Sequence, residues 1–151
     1  MGKLTRINDK AERIHTTVAA MFFDKSKEHI LMIEKADPAY GSKYSIIAGH
    51  VEDNETIHEA FKRELFEELT LENVEFKLLK SFVELKDSCR YGVHVHDWHV
   101  FTVDYIPDLQ NETFDKSEIT SLNWIKVSEL TGFSHKLTSG AYSLFKAMKL
   151  I

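Results

Sequence analysis

The chain predicts an α/β fold in which a mixed sheet is packed between helices, and three observations point that way. Strand-period segments recur on both sides of one sharply marked helix, and a second helical pattern closes the chain. A length of 151 residues with 43% hydrophobic content is enough for one well-buried core and short for two domains. Two prolines, six glycines and the absence of any repeat or low-complexity tract give no sign of a linker. Residues 1–151 are therefore read as a single domain.

In chain order, residues 16–23 and 29–34 are strand candidates. The charged turn Asp24-Lys25-Ser26-Lys27-Glu28 between them predicts a hairpin. A loop containing Pro38, Tyr40 and Gly41 leads to a further strand at 43–48. Residues 56–69 form a helix: Thr56 is the N-cap and Glu59 reaches back to it, a capping box. Its end is less sharply marked, because Thr70 stands where a C′ glycine is usual. Strands follow at 75–85, 94–106 and 121–127. The closing helix, 139–150, turns Phe145 and Met148 inward.

The helix at 56–69 carries an unusual pattern. At about 100° per residue, Ile57, Ala60 and Phe61 make an apolar stripe, and Glu64, Glu67 and Glu68 continue it, with Leu65 and Leu69 on its flank. Glu59 lies opposite. The three carboxylates are thus expected to point into the protein, where a solvated acidic face would not. Acids at i, i+3 and i+4 repel by roughly 0.2–0.5 kcal/mol per pair, and the negative end of the helix dipole adds to the penalty. A bound cation would relieve both. Oxygen ligands without a Cys or His among them suit Mg²⁺ or Mn²⁺ better than zinc.

Gly49, Glu55 and the run Arg63-Glu64-Leu65-Phe66-Glu67-Glu68-Leu69-Thr70-Leu71 resemble the Nudix box, G-x5-E-x7-R-E-U-x-E-E-x-G-U, where U is aliphatic. Thr70 replaces the second glycine of the box. Ile46-Ile47-Ala48-Gly49 replaces the family's common Leu-Pro-Gly-Gly. The resemblance implies a Nudix-like α/β/α sandwich. It also implies Mg²⁺-dependent hydrolysis of a diphosphate linkage in a nucleoside diphosphate derivative or a nucleoside triphosphate. By position, Glu64, Glu67 and Glu68 would bind the metal with the carbonyl of Ala48, and Glu64 is the residue most often taken as base. Glu64, Glu67 and Arg63 make up the implied catalytic set, with Arg63 paired to Glu55 and orienting the glutamates. Gly49 and Glu55 would support the site. Glu118, six residues before Trp124, matches a further acidic metal ligand of many family members, with Glu112 and Asp115 as weaker candidates. Glu52 matches an acid often found just after the box glycine. The same scaffold also carries nucleotide-binding regulatory modules without catalysis and isomerases of isoprenoid diphosphates. For the latter, Cys89 is the sole thiol available.

The remaining composition narrows the partners. With 24 acidic against 19 basic side chains and a net charge of −5, the chain would repel a polyanion unless a cation inverted the local sign. Lys25, Lys27, Lys62, Lys77 and Lys80 are scattered and form no basic footprint, so no nucleic acid is expected. Lys43, Lys86 and Arg90 lie where a loop could reach a phosphate. Strand alternation sends His94 and His96 to one face with Trp98, and His99 to the other. His96, Trp98 and Tyr44 are candidates to line a substrate pocket against a nucleobase. Packing on the sheet is the alternative, as it is for Tyr40 and Tyr91, and a two-histidine zinc site is a further one. Cys89 has no partner for an intrachain disulfide. No apolar run is long enough to span a membrane, and residues 1–15 are polar and charged. A cytoplasmic protein acting on a nucleotide-like small molecule is the expectation, with no membrane partner and no specified oligomeric state.

Overall fold

The fold is taken from a computed structural model that describes residues 2–37 and 41–151. Pro38 and Tyr40, read above as loop and candidate base-stacking ring, lie outside them. β2 (Arg13–Met21) is buried from Ile14 onward on both of its faces, which requires protein above and below it. β2 pairs in parallel with β7 (Val95–Asp104), and β7 pairs antiparallel with β6 (Glu75–Lys86). The other edge of β2 is shared: β1 (Thr5–Ile7) pairs with its first residues and β5 (Ile47–His50) with its second half. These five strands form one mixed sheet. A second, antiparallel sheet has the order β4 (Gly41–Ser45), β3 (His29–Asp37), β8 (Ile119–Lys126).

The two-residue period of the strands divides the core. Val18, Ala20, Ile47 and Phe101 face one side, where helix α1 (Ile57–Leu69) lays Phe61, Leu65 and Leu69 on them. Ala19, Met21, Trp98 and Val100 face the other, under a 3-10 segment (Val127–Lys136) and helix α2 (Ser139–Ala147), which contribute Leu130, Leu144 and Phe145. Burying each large apolar side chain contributes about 1.5–3 kcal/mol. Phe61, Leu65 and Leu69 therefore set the roll of α1 firmly, and with it the direction of Glu64 and Glu68. The expected α/β fold with helices on both sides of a mixed sheet is the one observed.

Four elements depart from the sequence reading. The expected hairpin forms only at its throat, where Phe23 bridges Ile30, before β2 and β3 diverge into different sheets. The single strand expected at 43–48 is broken at Ile46, a buried residue at which the chain crosses from β4 in one sheet to β5 in the other. β1 escaped notice because all three of its residues are exposed and carry no burial pattern. α2 ends at Ala147 rather than 150, since Lys149 takes a left-handed φ of 60° and Leu150 N–H bonds back to Phe145 O, a Schellman close.

The start of α1 is the capping box read from the sequence: Thr56 Oγ1 accepts from Glu59 N–H and Glu59 Oε1 accepts from Thr56 N–H. Its end explains why a glycine would suit position 70. Thr70 holds φ 56°, ψ 29°, and its N–H reaches Leu65 O and Phe66 O. A β-branched residue in that region is strained by about 1–2 kcal/mol. Thr70→Gly should relieve most of this. The expected gain is about 1 kcal/mol, or about 2–4 °C in Tm, and an unchanged or lower melting temperature would show that the cap is not strained.

Candidate active site

β5 and the last two turns of α1 converge on one wall of a cavity of about 440 Å³, which Ala48, Gly49, Arg63, Glu64, Glu67, Glu68 and Glu118 help to line. The approach is close. A Cβ on Gly49 would fall 2.0 Å from Glu64 Oε1, so any larger residue would displace that carboxylate. Glycine is needed at 49 for proximity.

Arg63 organises the cluster. Its Nε and Nη2 donate to the two oxygens of Glu55 at 2.7 and 2.9 Å, and Nη1 donates to Glu64 Oε1 at 2.8 Å and Glu67 Oε2 at 3.2 Å. Nη2 also donates to the carbonyl of His50 at 2.9 Å, which ties the helix to β5. Glu55 Oε1 in turn accepts from Glu52 N–H. Arg63, Glu55 and Gly49, all expected at the site from the sequence, are thus brought together there.

Glu68 is 4% exposed and its Oε2 has no hydrogen-bond partner. Burial pushes its pKa up to about 8, assisted by Glu64, Glu118 and Glu67 and opposed by Lys35. Burial likewise pushes Glu64 up to about 7, against the pull of Arg63 and with added repulsion from Glu67 and Glu118. An orphaned buried carboxylate oxygen beside a second buried carboxylate is a poor structural arrangement and a good place for a hard dication. The donor set present fits Mg²⁺ or Mn²⁺. One expectation needs correction: the three glutamates do not all point inward. Glu67 leaves 53% of its side chain exposed, at the cavity rim, because it lies about 160° round the helix from both Leu65 and Leu69, the side that packs on the sheet.

A family model for the NUDIX domain matches residues 13–148. This chain belongs to the Nudix family. Several solved structures share its fold. DR0079 from Deinococcus radiodurans superposes with a TM-score of 0.73 at 17% identity, covering 96% of this chain and 98% of that one. The Nudix domain of Shewanella oneidensis NrtR, complexed with ADP ribose, gives 0.65 at 13% identity, over 95% and 92% of the two chains. A bifunctional NMN adenylyltransferase/ADP ribose pyrophosphatase from Francisella tularensis, complexed with AMP and a Mn ion, gives 0.64 at 21% identity, over 89% of this chain and 41% of that one. No curated protein matches the sequence at significance.

Within this Nudix site the other candidates divide. Glu118 reaches the cavity lining with the box glutamates, whereas Glu112 accepts from Tyr105 Oη and Asp115 from Ser117, both away from it. Glu52 lies on the lining and meets Lys3 at 3.8 Å. His96 and Trp98 are buried in the cavity wall, where Trp98 Nε1 donates to Asp87 Oδ2 at 2.7 Å. Tyr44 does not join them, since its ring packs edge-on against Phe133 at 5.4 Å. His94 precedes β7, is exposed, and bonds Ser88, so it does not share the face of His96. Arg90 lines the cavity, but Lys43 is turned to His135 O and Lys86 to Glu12. Lys3 and Lys35, which also line it, were invisible to sequence pattern because nothing local distinguishes them from solvated lysines. His15, His50 and Asp87 were missed as well, and Cys89 was singled out only as the sole thiol. Strand register and the turn between β6 and β7 bring them together.

The raised carboxyls make a pH prediction for the metal-free protein. Unfolded glutamates lose their proton near pH 4.3, while Glu64 and Glu68 in the fold retain theirs until about 7 and 8. The folded state binds more protons across that window, so stability falls as pH rises through it. His15 and His50 are held below their ordinary value, His50 at about 3, chiefly by burial. Their contribution is complete above about pH 6.5 and is lost only on acidification. Between pH 6.5 and 8.5 the Tm should therefore drop by about 3 °C or more, and the drop should vanish in a Glu64→Gln/Glu68→Gln variant. A drop of equal size in that variant would remove the carboxyls as its cause.

Proposed function

We propose that this chain hydrolyses a diphosphate linkage in a nucleotide-like substrate, a nucleoside diphosphate derivative or nucleoside triphosphate, with Mg²⁺ or Mn²⁺. Glu64, Glu67, Glu68, the carbonyl of Ala48 and Glu118 would hold the ion. The observation that carries this reading is the buried, partnerless Glu68 Oε2 beside Glu64, on the wall of a cavity of a size that takes a small ligand. Family membership supports the reaction class. The relatives solved with ADP ribose and with AMP and Mn support a nucleotide-like ligand.

When bound, the ion supplies charge neutralisation for the diphosphate and a water acidic enough to attack phosphorus near neutral pH. The protein's own groups do the rest. Arg63, anchored on Glu55 and His50 O, fixes the direction of Glu64 and keeps Glu67 beside it. Glu64 is the proposed proton acceptor, and Glu67, open to solvent at the rim, passes the proton outward. Lys3, Lys35 and Arg90 add positive charge along the cavity for the substrate phosphates. Trp98 and His96 form the apolar and aromatic wall toward the far end. A cytoplasmic location fits a chain with one thiol; no helix among the described residues is long and apolar enough to cross a membrane.

A panel of nucleoside triphosphates and nucleoside diphosphate derivatives, with and without Mg²⁺ or Mn²⁺ and with product identification, tests the proposal. Hydrolysis is expected only with the ion present. Glu64→Gln and Glu68→Gln should each lower turnover by at least about 10²-fold with the fold retained, and Glu118→Gln should chiefly raise the metal concentration needed. Parental rates in both box variants would overturn the assignment.

A further inference from the structure

His50, Cys89 and His96 line the same cavity as the glutamates, and His15 adjoins them, making a second group of ligand-type side chains. One ring nitrogen of each of His15, His50 and His96 and the Sγ of Cys89 all lie within 4.8 Å of one another. We propose that these four residues form a separate transition-metal site, of a class suited to Zn²⁺, distinct in donor chemistry from the carboxylate site.

The placement follows from register. In the parallel pairing of β2 with β7, His15 is the direct partner of His96; in the antiparallel pairing of β2 with β5, His50 is the partner of Thr17, two residues on from His15 and so on the same face. Three adjacent strands therefore each project an imidazole into one layer. Cys89 arrives from the turn between β6 and β7. That turn is closed by Cys89 N–H to Val93 O at 3.0 Å and Gly92 N–H to Cys89 O at 3.1 Å, with Gly92 at φ +76°. The Tyr91 ring meets the rings of His15 and His50 edge-on, with centroids 6.3 and 5.4 Å apart.

The dimensions suit a tetrahedral ion. His50 Nε2 and His96 Nε2 are 3.4 Å apart, and Cys89 Sγ is 3.8 Å from His15 Nδ1. Zinc bonded at its usual Zn–N and Zn–S lengths needs tetrahedral edges of about 3.3 Å between nitrogens and about 3.6 Å between nitrogen and sulfur. His96 is also oriented as metal-bound histidines are. Its Nδ1 lies against Asp87 Oδ1, and Asp87 is itself fixed by Trp98 Nε1. An Nδ1–H directed at this carboxylate would leave the lone pair of His96 Nε2 for the cluster. Binding would release the Cys89 thiol proton to solvent, leaving a thiolate and three neutral imidazoles on the dication. Three nitrogens and a sulfur favour a borderline-soft ion, while the box glutamates favour a hard one. The two groups can therefore sort metals within one cavity.

Titration of the metal-free, full-length protein with Co²⁺ tests this by absorption, with no dependence on hydrolysis. One equivalent should develop the intense visible bands of tetrahedral Co²⁺ together with a thiolate-to-cobalt charge-transfer band, and Zn²⁺ should abolish both stoichiometrically. Cys89→Ser, a near-isosteric change in a turn whose fold is checked by its melting curve, should lose the charge-transfer band. His96→Gln should weaken Co²⁺ binding at least about 10-fold, and Asp87→Asn about 10–100-fold. The Glu64→Gln/Glu68→Gln variant should keep the full spectrum, which separates this site from the proposed hydrolytic one. Weak octahedral bands alone, or a spectrum kept by Cys89→Ser and lost in the glutamate variant, would overturn the proposal.

Discussion

The guanidinium of Arg63 is the contact on which the site depends. Three carboxylates near the negative end of a helix, two of them buried, repel one another and the dipole. No basic residue in the last turn of α1 compensates. Arg63 meets Glu55, Glu64, Glu67 and the carbonyl of His50 at once, and its hydrogen bonds to Glu55, with the charge of Glu64 beside it, hold its own proton more tightly than usual against the opposing effect of burial. It offsets part of the repulsion and leaves the rest concentrated on Glu68, where the proposed dication would relieve it. A lysine could not replace it, because a single ammonium lacks the planar fork that serves Glu55 bidentately while also reaching the other partners.

β5 gives the cavity its two chemistries. Gly49 comes against Glu64 on the α1 side, while the next residue, His50, belongs to the cluster with His15 and His96. Alternation along a strand makes this possible: neighbouring residues address opposite faces of a sheet. At the end of a short strand such as β5, the cavity wraps around the edge and is lined from both. The break at Ile46 matters here, since a strand continuous from 43 to 48 would have stayed in the second sheet and carried Ala48 and Gly49 away from α1.

Much of the carboxylate site was readable because its signals are local. Thr56 and Glu59 mark a helix start through contacts within one turn, and the spacing of Glu64 and Glu68 places them on the buried side once Phe61 is buried. Glu67 was misjudged for the same reason. A helical wheel gives an angle but not the width of the buried sector, which depends on how closely α1 lies against the sheet. Tyr44 and His94 were misplaced because a single aromatic or histidine in a strand pattern has no local feature that says which neighbour it will meet. Lys3 and Lys35 reach the cavity through the positions of β1's approach and β3, and those positions are tertiary.

The sequence alone determined the family, the class of fold, the capped helix and the identity of the box residues, because each rests on spacing within one element or one short loop. The division of strands between two sheets, the exposure of Glu67, and the meeting of His15, His50, His96 and Cys89 were decided only by the tertiary structure. Those residues come from three separate stretches of the chain, and strand register, set by long-range pairing and by how the two faces of the sheet fill, together with the β6–β7 turn, is what brings their atoms within a few ångströms.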